Sequence, residues 1–200
     1  MPKKAADPRL VFLDLETTGL EPEQDAILEI GMVVCDIRES FAPLAEWSVP
    51  VKTKPATLAM MSDFVRGMHQ MSGVLVALEG GVSLREAESA AAHFLNEQNF
   101  TYGTVTMAGY GPHFDRAFLK KHMPTLHNFF DYRMVDVSTL RGLVRRLVDP
   151  DIDSHIAPVL AGYQKHRAIS DCYAACDELA FYSKYLFDVD GLRKAMMEIL

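Results

Sequence analysis

Apolar and polar positions along the chain follow two periods. Residues 10–16 are a short apolar run broken only by Asp14 and Glu16, and they predict a buried strand. Residues 27–35, ILEIGMVVC, predict a second strand, and residues 47–51 a third, ended by polar residues and proline. Residues 55–71 mix apolar and polar positions at roughly helical spacing, with Met60, Met61, Met68 and Met71 placed for core or lid packing. The clearest helix is 83–98: Ser83 and Glu86 make a capping box, and Leu84, Ala87, Ala91, Phe94 and Leu95 make one apolar stripe. Residues 74–82 read as an adapted loop. Residues 104–108 predict a fourth strand closed by GYGP, 114–122 a short helix stopped by Pro124, and 134–137 a fifth strand. Residues 138–147 predict a helix capped by Ser138. Residues 149–162 have no clean period and read as a loop. Residues 170–187 predict a long helix capped by Ser170 or Asp171, and 188–200 a last short helix packed on the domain.

Strands come first and then alternate with helices. This order predicts one α/β domain with helices on both faces of a single sheet. A chain of 200 residues can bury one sizeable core. Residues 1–7 are too short and polar for a signal peptide, and 1–8 read as a leader. No apolar run approaches the ~20 residues of a membrane span, so a cytoplasmic location without membrane contact is expected.

Charge narrows the partners. The formal net charge is −7, whereas a long-duplex binder shows a broad basic face. The basic residues form short clusters instead, at Lys120–Lys121 and at Arg141, Arg145 and Arg146. If the substrate is a nucleic acid, these suit a short or single-stranded one. Cys35, Cys172 and Cys176 give no disulfide framework. Cys172 and Cys176 share a helix face without two further ligands at zinc spacing, and they read as small core residues.

The candidate chemistry begins with Asp14 and Glu16. Strand side chains alternate, so the two carboxylates project from one face while Leu13 and Leu15 take the other. Two adjacent carboxylates repel unless they are solvated at an edge or bridged by a cation, and hard oxygen ligands suit Mg²⁺ or Mn²⁺. Asp115 follows a strand end at a helix start, and HRAISD places His166 before a helix whose first turn carries Asp171. Alone, Asp115 and Asp171 each read equally as helix caps.

In this order the motifs resemble the DEDD 3′-to-5′ exonucleases, in the histidine-containing branch, from about residue 9 to 187. The block 131–146, DYRMVDVSTLRGLVRR, is similar to oligoribonucleases, which degrade very short RNA. So is FVRGMHQMSG, where Phe64 stands in a tryptophan's place and His69 matches a histidine. The resemblance implies a ribonuclease-H-like fold with a five-stranded mixed sheet, filling residues 9–187 as one exonuclease domain. It implies that Asp14, Glu16, Asp115 and Asp171 hold two divalent cations, Mg²⁺ or Mn²⁺, with His166 as general base. An imidazole's ordinary pKa near ~6.5 suits that task. It further implies that Leu20 wedges between terminal bases flanked by Phe64 and His69. Arg133 and Ser138 match two positions that cap a dinucleotide's 5′ phosphate, while Gly111 stands where a third, a serine, is expected. Tyr132 matches a tyrosine reaching toward a partner subunit, which implies a homodimer. The expected function is hydrolysis of short single-stranded RNA to nucleoside 5′-monophosphates. A DNA exonuclease of proofreading type and an inactive nucleic-acid-binding fold remain alternatives.

Overall fold

The structure is a computed structural model, and it describes residues 7–186 together with 196 and 197. The expected C-terminal helix at 188–200, apart from 196 and 197, and most of the leader 1–8 lie outside the described residues. Five strands form one mixed sheet: β1 (Arg9–Thr17), β2 (Ile27–Asp36), β3 (Ala42–Pro50), β4 (Val105–Gly109) and β5 (Phe130–Asp136), in the order β3-β2-β1-β4-β5. The pairs β1–β2 and β2–β3 are antiparallel. The pairs β1–β4 and β4–β5 are parallel. The helices are α1 (Pro55–Ala59), α2 (Asp63–Ser72), α3 (Val74–Ala77), α4 (Leu84–Glu97), α5 (Pro112–His122), α6 (Pro124–His127), α7 (Val137–Leu147), α8 (Ile152–Leu160) and α9 (Ala168–Leu186). Among the described residues, no helix is long and apolar enough to cross a membrane.

The central strand β1 is covered on both faces, which explains its nearly continuous apolar run. Val11, Leu13 and Leu15 join Ile30, Met32, Ala91 and Leu95 of α4, and Phe118 of α5. Leu10 and Phe12 face the other way and pack with Val33, Cys35, Cys172, Ala175, Cys176, Leu179 and Tyr182. Asp14 and Glu16 share the parity of Leu10 and Phe12, so they fall on the α9 face. All three cysteines are buried there, with Cys35 Sγ 2.9 Å from Cys176 Sγ. Fully burying each large apolar side chain contributes about 1.5–3 kcal/mol, so this double cover fixes β1 firmly.

Several elements differ from the sequence expectation. The third strand begins at Ala42 and the fifth at Phe130. Residues 55–71 divide into α1 and α2, because Ser62 caps α2 by accepting from the Val65 amide. Residues 74–82 hold α3 and a 3₁₀ turn, which bury Val74 and Leu78 against Leu28 and Met61. The expected loop at 149–162 contains α8, whose Ile152 and Ile156 are buried one turn apart and whose Pro158 lies inside the helix. Helix α7 is capped by Asp136, not Ser138: Asp136 Oδ1 accepts from the Ser138 and Thr139 amides. Neither Ser170 nor Asp171 caps α9, which already begins at Ala168. The capping box of Ser83 and Glu86 on α4 is present as expected.

Candidate active site

Two helices, α5 and α9, converge on Asp14 and Glu16 of β1. From α5, Asp115 is 3% exposed and its Oδ1 accepts the Leu15 amide at 3.0 Å. Its place in the first turns of α5 also favours a negative charge there. From the start of α9, Asp171 accepts the His166 amide at 2.9 Å through Oδ2. Ligand atoms of Glu16, His166 and Asp171 all lie within 4.8 Å of one another. Asp14 lines the same cavity, of about 380 Å³, as His166 and Asp171. The structure therefore gathers all five residues that the sequence reading singled out for catalysis.

Burial raises the pKa of each of the four acids, and at Asp14 and Glu16 the neighbouring carboxylates raise it further. Burial, then the charges of Asp115, Glu16 and Asp171, push the Asp14 carboxyl well above the usual carboxylate range. Burial, then the charges of Asp171, Glu29 and Asp115, push Glu16 up to about 8. Burial pushes Asp115 up to about 7, against the pull of its backbone hydrogen bonds. Asp171 is raised as well, mainly by burial. The nearby Arg167 cannot neutralise the group by itself, since Glu29 already holds its guanidinium. Four converging carboxylates are a hard-oxygen donor set, and they fit divalent cations such as Mg²⁺ or Mn²⁺.

A second, largely apolar trough of about 620 Å³ adjoins the first, and both include Lys165 and His166. Phe64, Met68 and Met71 line it, and Phe64 is 80% exposed. Leu20 is exposed too. His69 is placed differently: it is fully enclosed and its Nε2 donates to the Thr17 carbonyl at 2.8 Å. Its Nδ1 lies 3.7 Å from a Glu16 oxygen. Ser138 lines the carboxylate cavity beside Arg141. Tyr132 and Arg133 do not line it; they are exposed on β5, with the guanidinium 4.2 Å over the tyrosine ring. At Gly111 the φ of +59° is left-handed, and its amide donates to Asp136. A serine in that place would carry backbone strain.

Two buried groups near the site went unread in the sequence. Glu178 is fully buried and accepts from Tyr110, Tyr182 and Arg141, and Tyr110 and Arg141 form part of the cavity wall. Glu29 is the other. Its signal was present, since a lone carboxylate inside ILEIGMVVC is the same anomaly as the pair inside VFLDLET.

Residues 11–179 match the family model RNase_T, whose description is exonuclease.

This chain belongs to the exonuclease family.

It is a 3′-to-5′ exonuclease, a phosphodiester hydrolase, in a family of metal-dependent nucleases. The exonuclease is 36% identical over 177 residues to an oligoribonuclease of Tropheryma whipplei, covering 88% of this chain and 92% of that one. It is 38% identical over 183 residues to an oligoribonuclease of Enterobacter sp., covering 89% and 95%. To a mitochondrial oligoribonuclease of Mus musculus it is 36% identical over 181 residues, covering 90% and 73%. Among solved structures, exonuclease I from Methylocaldum szegediense superposes with a TM-score of 0.63 at 15% identity, over 89% of this chain and 41% of that one. E. coli exonuclease I in complex with a 5cy-dT13 oligonucleotide gives 0.59 at 17% identity, over 90% and 41%. This chain thus spans about two-fifths of those exonuclease I chains. These superpositions establish the ribonuclease-H-like exonuclease fold.

Proposed function

We propose that this exonuclease degrades short single-stranded RNA from the 3′ end to nucleoside 5′-monophosphates. The observation that carries the reading is the near-full-length similarity to oligoribonucleases. The convergence of Asp14, Glu16, Asp115, Asp171 and His166 supports it.

Asp14, Glu16, Asp115 and Asp171 would hold two divalent cations, Mg²⁺ or Mn²⁺. When bound, such ions make a water more acidic and offset charge on the phosphoryl oxygens. His166 stands exposed where the two cavities meet, and its imidazole takes the proton of the attacking water. The scissile bond is between phosphorus and the 3′ oxygen, which departs with the shortened chain. Phe64 offers an open aromatic face for a terminal base, and Leu20 an exposed apolar wedge. His69 acts behind them, tying α2 to the end of β1 beside Glu16. Ser138, in the cavity wall, and Arg133 receive the 5′ phosphate of the shortest substrates, with Tyr132 supplied across a homodimer. Size-exclusion chromatography with light scattering giving a monomer alone would remove the dimer and this use of Tyr132. A cytoplasmic location fits such a task.

A second reading, DNA as substrate, draws on the likeness to exonuclease I bound to a dT13 oligonucleotide. A length series of RNA and DNA oligomers, with Mg²⁺ and with EDTA, separates the two. Rapid, metal-dependent loss of two- to five-residue RNA is expected. DNA preference supports the second reading, and binding without cleavage removes both.

A further inference from the structure

We infer that Glu29 and Arg167 form a clamp that sets where His166 stands, which makes both of them positioning residues for hydrolysis; this rests on the reading of His166 as general base. Glu29 lies on β2 directly across the ladder from Glu16 and is 2% exposed. Both of its oxygens are engaged. Oε1 accepts from Arg167 Nη2 at 2.8 Å, and Oε2 accepts from Arg167 Nε at 3.1 Å and from the Ala168 amide at 3.0 Å. The Ala168 amide is one of the first-turn donors that a helix leaves unsatisfied. A strand carboxylate thus does for α9 what a capping side chain usually does.

The neighbouring backbone needs this support. His166 has a φ of +61°, in the left-handed region that a non-glycine residue holds only when its surroundings over-determine it. Its side chain is exposed, so packing does not place it, and the backbone sets where the side chain starts. That backbone is anchored on both sides. Asp171 takes the His166 amide, and Glu29 takes the next two residues. Gly31 completes the seat: a Cβ there would lie 2.6 Å from the Ala168 carbonyl carbon and the Ile169 nitrogen. The first turn of α9 therefore rests directly on β2, and its distance from Asp14 and Glu16 is set by the sheet.

The test uses Glu29→Gln, which keeps the shape and removes the charge. Arg167→Lys is the second variant, keeping the charge and losing the two-pronged contact. Amide hydrogen exchange is read at His166 and Ala168, the two amides held by Asp171 and Glu29, and kcat and KM are read on a two-residue RNA at saturating Mn²⁺. Either variant should speed exchange at these amides and lower kcat about 10- to 10²-fold, since small misplacements of a reacting group cost this much. At saturating Mn²⁺, KM should stay within about two-fold, because substrate binding in the ground state is untouched. Added to His166→Ala, Glu29→Gln should lower kcat no further, because a residue acting through another is not additive with it. Unchanged exchange in both variants, or losses that multiply in the double variant, would overturn the clamp. Wild-type turnover in His166→Ala alone would overturn the general-base reading instead, and hydrogen exchange would still decide the clamp.

Discussion

At Asp14, burial and four neighbouring carboxylates, Asp115, Glu16, Asp171 and Glu29, act on one side chain. A strand in a packed sheet holds such a group in place at the cavity wall. The surrounding geometry asks for a cation, and the proposed proton acceptor is His166, whose ring nitrogen lies beside Glu16 and Asp171. His166→Ala should lower kcat by about 10²-fold or more with Mn²⁺ binding largely intact; near-wild-type turnover would remove its role. Phe64 is the corresponding test on the substrate side. Its exposed ring has no packing duty, so Phe64→Ala should weaken binding by about 1–3 kcal/mol, the worth of one base stack. The loss should appear in KM with the melting temperature unchanged. Equal KM for the two proteins would move base recognition elsewhere.

Elements explain why some of this was legible in the sequence. Alternation along β1 put Asp14 and Glu16 on one face, and the double cover of the strand preserved that parity. The capping box on α4 was equally readable, because its partners are three residues apart. Long-range pairs were not. Glu29 meets Arg167 and Ala168 across nearly 140 positions, and no local period announces the contact. Helix α8 was hidden by Pro158, which normally argues against a helix; here it lies near the C-terminal end, and Ile152 and Ile156 supply the burial. The cap of α7 was misplaced because Ser138 looks like an N-cap, while Asp136 lies at a strand end. Asp136 also accepts the Gly111 amide, so it ties α7 to the start of α5. Asp136→Ala should therefore destabilise the fold by about 0.5–2 kcal/mol, the usual worth of a cap. Denaturant unfolding measures this, and a variant of wild-type midpoint would show the cap to be dispensable.

At the scale of the molecule, the strained acids couple stability to pH and to metal. Without cations, Glu16 and Asp115 stay protonated up to about 8 and about 7 in the folded state, whereas the unfolded chain ionises them near 4.5 and 3.8. Across that window the folded state binds more protons than the unfolded one, so stability falls as pH rises. In EDTA the melting temperature should drop from pH 5 to pH 8, and Glu16→Gln should flatten the drop. Mn²⁺ should raise the melting temperature most at pH 8, where the cage is most in need of charge; a larger gain at pH 5 would contradict this. In the proposed function, the carboxylate cage is what lets the molecule hydrolyse short RNA. Its most direct test is the rate of nucleoside 5′-monophosphate release from a two-residue RNA by Asp115→Asn in saturating Mg²⁺. Release should fall to the level of the wild-type enzyme in EDTA, with the fold intact by circular dichroism. Release at the wild-type rate would contradict it.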